Sequence, residues 1–218
     1  MTVPSATRRR FNEAVTGFWS LAAPVYDTAV VQRWVYRPAQ DEVIAALTAH
    51  GSRRVADIGC GTGILADRIA REVHPDAVYG VDLSEGMLAQ AAQRSATVTW
   101  LTAPAEALPF DDGSLDAVVS TSAFHWFNQP AALREFHRVL APGGIAAVAT
   151  LSPRRYVPEQ MLAAVRLPAY DAPSPATMRA MFTDAGFTVE DQHRVRRPLW
   201  TQVLSDLITI GVKPTPTA

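Results

Sequence analysis

From residue 53 onward, short apolar runs alternate with stretches of helical period. Residues 54–58 (Arg-Val-Ala-Asp-Ile) predict a strand, and 64–73 a helix with Leu65, Ile69 and Val73 on one face. Residues 77–82 predict a second strand, followed by a helix that Ser84 can cap, with Glu85 in its first turn. Third and fourth strands are expected over 98–102 and 115–120. Pro130 suits the first turn of a helix carrying Leu133, Phe136, His137 and Leu140, and Pro142-Gly143-Gly144 is expected to stop it. Residues 145–151 predict a fifth strand. Strands spaced by helices need crossover connections, so the expected fold is α/β: doubly wound, with a mostly parallel, Rossmann-like sheet and helices on both faces.

The flanks are less regular. Phe11, Val15, Phe18, Trp19 and Ala22 fall at i, i+4, i+7, i+8 and i+11, the spacing of one helical face. Thr7-Arg8-Arg9-Arg10-Phe11 is similar to a twin-arginine export signal, with 14–25 as its apolar region, but Asn12 and Glu13 interrupt the approach. A helix docked on the domain is the expectation there. Residues 153–175 are rich in proline and lack a firm period; 177–185 predict a helix ended by Gly186, and 187–195 a sixth strand. Residues 199–210 fit a helix or a strand, and 213–218, with Pro214 and Pro216, are expected to fray.

At 218 residues and 48% hydrophobic, the chain is long enough for one domain with a substantial core. Twenty basic against 21 acidic residues give no global charge to attract nucleic acid or an anionic membrane. A single cysteine, Cys60, excludes an intramolecular disulfide and argues against a thiolate metal cluster. His50, His74, His137 and His193 lack metal-ligand spacing, so no metal is expected. No apolar stretch approaches the roughly 18–20 residues that span a bilayer. The expectation is a cytoplasmic protein, monomer or homodimer, without nucleic acid or an integral membrane segment.

The informative stretch is Val55-Ala56-Asp57-Ile58-Gly59-Cys60-Gly61-Thr62-Gly63, which closes the first strand, turns tightly and opens a helix. Nucleotide cofactors bind at such turns, outside the carboxyl ends of the strands. A dinucleotide fingerprint, G-x-G-x-x-G, needs its third glycine at position 64, which holds Ile64. The spacing is instead G-x-G-x-G, preceded by Asp57. A carboxylate there would repel a pyrophosphate and favour an ammonium group. A phosphate loop fails because no Gly-Lys-Ser/Thr follows. A cationic, phosphate-free nucleoside cofactor fits.

These motifs, over about residues 40–152, resemble class I S-adenosylmethionine-dependent methyltransferases, in the group related to ubiquinone and menaquinone biosynthesis. The resemblance implies a core over 41–152, an N-terminal helical cap over 1–40, and a substrate lid with sheet edge over 153–218. It implies S-adenosyl-L-methionine as cofactor, S-adenosyl-L-homocysteine as product, and Asp57, Gly59, Cys60, Gly61 and Gly63 lining the cofactor site. Cys60 enters as a small apolar residue with no nucleophilic role. Asp82, ending Gly80-Val81-Asp82-Leu83-Ser84, would accept from both ribose hydroxyls, and Leu83 and Met87 would pack on adenine. In Ala103-Pro104-Ala105-Glu106-Ala107-Leu108-Pro109-Phe110, Ala105 would offer its N–H to an adenine nitrogen and Glu106 also falls in the site. Pro104 replaces an aspartate that often meets the adenine amino group, which implies weaker adenine recognition. Ser120 matches a position near the cofactor's amino-acid end. Tyr26, with Asp27, resembles a pair whose tyrosine closes over the cofactor.

Methyl transfer from a sulfonium is an in-line displacement, so the protein mainly positions the partners. A base helps where the acceptor is a phenol, enol or carboxylic acid that still carries its proton. His125, in Ser122-Ala123-Phe124-His125-Trp126-Phe127-Asn128, is the catalytic candidate: it either handles such a proton or only shapes the pocket. Trp126 and Phe127 are either core aromatics or cation–π partners of a sulfonium. Five tryptophans, 8 phenylalanines and 5 tyrosines suit a small apolar or aromatic acceptor, roofed by the N-terminal segment, 153–175 and the segment with Trp200. The competing functions are a cofactor-binding regulator without methyl transfer, a nicotinamide oxidoreductase, and methylation of nucleic acid or protein. Ile64 and Asp57 argue against the oxidoreductase. Near-neutral charge and the lack of an Asn-Pro-Pro-aromatic motif argue against the last.

Overall fold

A computed structural model describes residues 34, 36–152, 172–197 and 206–216. Expectations for the N-terminal helix (Phe11 to Ala22), Tyr26-Asp27, residues 153–171 and Trp200 lie outside the described residues. In chain order the elements are α1 (Arg37–Ala49), β1 (Arg54–Ile58), α2 (Ile64–Glu72), β2 (Ala77–Asp82), α3 (Glu85–Arg94), β3 (Thr99–Thr102) and β4 (Leu115–Thr121). A 3-10 turn (Phe124–Trp126) follows, then α4 (Gln129–Val139), β5 (Leu140–Leu151), α5 (Pro175–Asp184), β6 (Thr188–Arg194) and β7 (Asp206–Val212).

The seven strands run in the order β3-β2-β1-β4-β5-β7-β6. Pairs from β3 through β5 are parallel, while β7 is antiparallel to both β5 and β6. The ambiguous stretch over 199–210 therefore contributes a strand from Asp206. Its side chains are buried on both faces, which is why neither period showed in the sequence.

Alternation along the central strands divides the core. Ala56, Ile58, Val118 and Val148 face Phe136 of α4 and Phe182 of α5. Val55, Val119 and Ala147 face Val43 and Leu47 of α1 and Leu65 and Ile69 of α2. Each fully buried Phe or Leu contributes roughly 1.5–3 kcal/mol of transfer free energy, which fixes the register of every central strand.

Two expectations need correcting. Helix α4 ends at Val139, because Leu140 is already extended (φ −76°, ψ 138°), so Pro142-Gly143-Gly144 lie within β5 rather than stopping the helix. There the pairing with β4 shifts between Leu115 and Ala117, and Gly143 takes φ +80°. Lys213 is not frayed: its backbone exchanges hydrogen bonds with Gly143 and Gly144 (both 2.8 Å). Its ammonium donates to the carbonyls of His137 (2.8 Å) and Leu140 (2.7 Å), meeting the exposed carbonyls at the end of α4.

Candidate functional site

The strand order reverses between β2-β1 and β4-β5, and the glycine loop leaves β1 at that switch point. Gly59 and Cys60 donate to the Val81 carbonyl (2.8 and 3.1 Å), which pins the loop to the end of β2. Three of its glycines have left-handed φ, but they serve different ends. A Cβ on Gly59 would lie 2.5 Å from Ala123 Cβ, and one on Gly63 would lie 2.4 Å from Trp100 Cη2. These two let the loop pack against its neighbours. Among the described residues a Cβ on Gly61 would meet nothing within 4 Å, so this glycine borders space that they leave open. Of the three glycines expected in the site, Gly61 is the one whose missing side chain leaves room for a ligand. Trp100, unremarked in the sequence, explains two others: a Cβ on Gly80 would lie 2.2 Å from its ring.

Asp57 is 2% exposed, and its Oδ2 has no hydrogen-bond partner among the described residues. Gly63, the N-cap of α2, has no side chain, and the Ala66 N–H in the first turn bonds to the Asp57 carboxyl instead. Burial, with a smaller push from the charge of Asp82, raises the Asp57 pKa to about 8 against the pull of that N–H. A cationic group beside Oδ2 would relieve the burial cost by pairing with the ionised form. Cys60 is buried, and burial, then the charges of Asp57 and Asp82, push its thiol up, away from nucleophilic thiolate.

Asp82 accepts from Gly61 N through Oδ2 (2.9 Å) and from Ser84 N through Oδ1 (2.8 Å). A carboxylate has about four lone-pair sites, so with the N–H groups of Gly61, Ser84 and Leu83 bound it keeps room for a hydroxyl donor. Burial raises its pKa, opposed by the N–H groups of Ser84, Gly61 and Leu83. Ser84 caps α3 as expected, accepting from Met87 N (3.3 Å). Leu83 is 40% exposed, a large apolar side chain left uncovered beside the carboxylate, whereas Met87 is buried. Leu83 thus offers the open apolar surface that an adenine would cover.

The loop after β3 is tied in by Ala103 N to the Asp82 carbonyl (3.3 Å) and turns through Ala107 N to the Pro104 carbonyl (3.1 Å). Ala105 is buried. Glu106 accepts from the backbone N–H of Asn128 at 2.6 Å, so one of its oxygens is directed to the next loop. Beyond β4, Ser122 adopts φ +56°, a strained conformation for a residue with a Cβ, fastened by its N–H to the Ala149 carbonyl (2.9 Å). Ser120 is fully buried, and its Oγ has no partner among the described residues. His125 is buried with its ring centroid 4.9 Å from that of Trp126, and burial lowers its pKa to about 4. It is therefore neutral near pH 7 and a poor proton acceptor. Phe127, half-buried, packs edge-on against Phe124 and against the first core cluster.

At the same end of the sheet, where Leu151 pairs with Asp206, Arg197 forms a buried ion pair with Asp206 and donates to the Trp34 carbonyl (2.9 Å). Sequence spacing gave no sign of this pair. Among the described residues no group of three or more His, Cys, Asp or Glu could hold a metal ion, and no helix is long and apolar enough to cross a membrane.

Residues 56–148 match the methyltransferase domain family. The chain is 34% identical over 141 residues to the malonyl-[acyl-carrier protein] O-methyltransferase of Serratia marcescens, covering 64% of this chain and 53% of that protein. It is 34% identical over 146 residues to the 2-phytyl-1,4-naphtoquinone methyltransferase of Nostoc punctiforme, covering 62% of this chain and 63% of that protein. The chain thus spans between half and two thirds of the length of these curated relatives. Magnesium protoporphyrin IX methyltransferase from Synechocystis PCC 6803, solved with bound S-adenosylhomocysteine, superposes with a TM-score of 0.71. That match covers 96% of this chain and 99% of that one; at 21% identity it is a likeness of fold.

Proposed function

We propose that the chain, whose residues 56–148 match the methyltransferase domain family and whose fold is that of class I S-adenosylmethionine-dependent enzymes, methylates a small organic acceptor. The observation that carries this reading is the space left open at Gly61 among the described residues, beside the Asp82 carboxylate that its N–H meets and on the loop that follows the strand carrying Asp57. That arrangement fits a ligand with a cationic end and a pair of hydroxyls. It is a poor place for a pyrophosphate.

In this reading Asp57 takes the ammonium end of the cofactor, Gly61 admits its backbone-side surface, Asp82 accepts from the ribose hydroxyls and Leu83 covers one face of adenine. Ala105 supplies an N–H at the adenine edge, and Tyr26 closes from the N-terminal side. When bound, S-adenosylmethionine supplies an activated methyl on a sulfonium. The loop from Ser120 to Asn128 then sets where the acceptor meets it, and holding reactants in line at van der Waals distance accounts for much of such a rate enhancement.

The low pKa of His125 narrows the acceptor. A buried neutral imidazole with a pKa of about 4 is a weak base for a phenol near pH 10. An acceptor that arrives ionised, such as a carboxylate or an acidic enol, needs no base at all. The two relatives are named for malonyl-[acyl-carrier protein] and 2-phytyl-1,4-naphtoquinone, and of these an O-methylated malonyl group, with its ionised carboxyl, suits this site better. His125 then orients the acceptor rather than deprotonating it.

Isothermal titration with S-adenosylmethionine, S-adenosylhomocysteine and NAD tests the cofactor. Binding of the first two but not NAD is expected; NAD alone would overturn the reading. Incubation with methyl-labelled cofactor and a malonyl thioester, a phenol or a quinol then tests transfer. Label in the carboxyl ester supports the acceptor class, whereas cofactor binding with no transfer to any acceptor would make the protein a cofactor-binding regulator.

A further inference from the structure

Four loops at the carboxyl edge of the sheet are joined by one series of hydrogen bonds. Gly61 N donates to the Asp82 side chain, and Ala103 N donates to the Asp82 carbonyl. The turn from Pro104 to Ala107 then carries Glu106, whose carboxylate accepts from Asn128 N at 2.6 Å. Asn128 is the N-cap of α4, and its own carbonyl accepts from Ala132 N (2.8 Å). Its side chain makes no capping hydrogen bond. A carboxylate from another loop thus meets the positive end of the helix, where charge and hydrogen bonding both favour it.

The residues just before Asn128 are the 3-10 turn with buried His125, held by Trp126 N to the Ala123 carbonyl (2.9 Å) and Phe127 N to the Phe124 carbonyl (3.1 Å). The Glu106 contact is therefore the far end of a connection that begins at Gly61 and Asp82 and ends at the turn that the proposed function assigns to the acceptor. We propose that Glu106 is a positioning residue: through Asn128 it transmits occupancy of the cofactor pocket to the 122–128 turn, so that the acceptor side is ordered once the cofactor side is filled. This rests on the cofactor assignment made above. It moves Glu106 from direct cofactor contact, where the sequence motif alone had put it, to the junction between the two halves of the site. Gly59, packed near Ala123 and Phe127, offers a second and direct contact between the same loops, so removing Glu106 weakens the connection without severing it.

Two variants interrupt the same bond from opposite sides. Glu106→Ala removes the acceptor. Asn128→Pro removes the N–H together with a side chain that makes no capping hydrogen bond: φ −73° at Asn128 is that of proline, and Phe127 before it is extended (φ −85°, ψ 163°), as favoured before proline. Glu106→Gln keeps a carbonyl oxygen for the N–H and serves as the rescue. Hydrogen exchange of the 122–130 segment is followed with and without S-adenosylhomocysteine at saturating concentration, verified by titration of each variant. In the wild type and Glu106→Gln the ligand is expected to slow exchange there at least fivefold. In Glu106→Ala and Asn128→Pro the slowing should fall below twofold, with a Kd raised three- to tenfold because coupling is reciprocal. A merely structural cap would lower the melting temperature but leave ligand-induced protection intact, and that result in both variants would overturn the inference. So would complete loss of ligand binding in Glu106→Ala alone, which would return Glu106 to the cofactor pocket. Wild-type protein that binds the ligand without slowing exchange refutes the coupling only. Wild-type protein that does not bind it at all refutes the cofactor assignment, and the coupling with it.

Discussion

The proposed pairing of Asp57 with the ammonium end of the cofactor makes affinity a function of pH. In the free protein its pKa is raised to about 8, chiefly by burial. Pairing with the ammonium end of the cofactor requires the ionised form, so the carboxyl must lose its proton on binding. At a pH about one unit below 8 the cost is roughly tenfold in Kd, or about 1.4 kcal/mol; two units below, roughly a hundredfold. Affinity should therefore rise by about a factor of ten per pH unit from about pH 6 to 7.5 and level off beyond 8. Titration with S-adenosylhomocysteine in two buffers of different ionisation enthalpy should show close to one proton released per site near pH 7. Asp57→Asn should abolish both the slope and the release. Stability runs the other way: because the folded pKa lies above the unfolded one, the group stabilises the free protein at low pH. That contribution is lost as pH rises from about 4 through 8, so Asp57→Asn should raise the melting temperature of the free protein most at pH 8.5. A Kd that is flat between pH 6 and 8.5, or no buffer dependence, would refute the assignment of Asp57 to the ammonium.

Further expectations concern single contacts. Gly61→Ala meets no neighbour among the described residues, so it should cost only about 1 kcal/mol for its left-handed φ in urea unfolding yet weaken S-adenosylhomocysteine more than tenfold; normal binding would refute the open-cradle reading. Gly63→Ala, which drives a methyl into Trp100, should lose a further 1–3 kcal/mol in the same unfolding experiment. His125→Ala should reduce kcat on an ionised acceptor less than tenfold, and a larger drop together with loss of a kinetic limb near pH 6.5 would restore it as the base. Asp206→Ala leaves Arg197, with its side chain 1% exposed, as a buried uncompensated charge and should cost about 3–5 kcal/mol by urea unfolding. Replacing both members with apolar residues should recover much of that loss.

The parts legible in the sequence are those determined locally. The bounds of β1 and β2 and the Ser84 cap follow from side-chain period and turn chemistry within a few residues. The D-x-G-x-G-x-G loop was legible for the same reason: its conformation depends on glycines next to one another. What the sequence left open depends on distant partners. Which glycine borders open space is decided by Trp100, 37 positions from Gly63, and by Ala123, 64 positions from Gly59. Glu106 carries no mark of a partner 22 residues away. Strand β7 escaped because burial on both faces erases alternation, and His125 because a histidine's pKa follows its enclosure rather than its neighbours in the chain.

The position of β7 has a consequence for how the molecule is made. The strand latest in sequence lies inside the sheet, between β5 and β6, which are synthesised before it. Until residues 206–212 emerge, β6 has no strand to pair with, and β5 presents the unpaired edge Ile-Ala-Ala-Val-Ala-Thr-Leu over 145–151, without charge or proline. Such a segment readily adds a strand from another chain. A nascent chain paused before Asp206 would thus be more prone to association than the finished one, and its dependence on chaperones should fall sharply within the next seven residues.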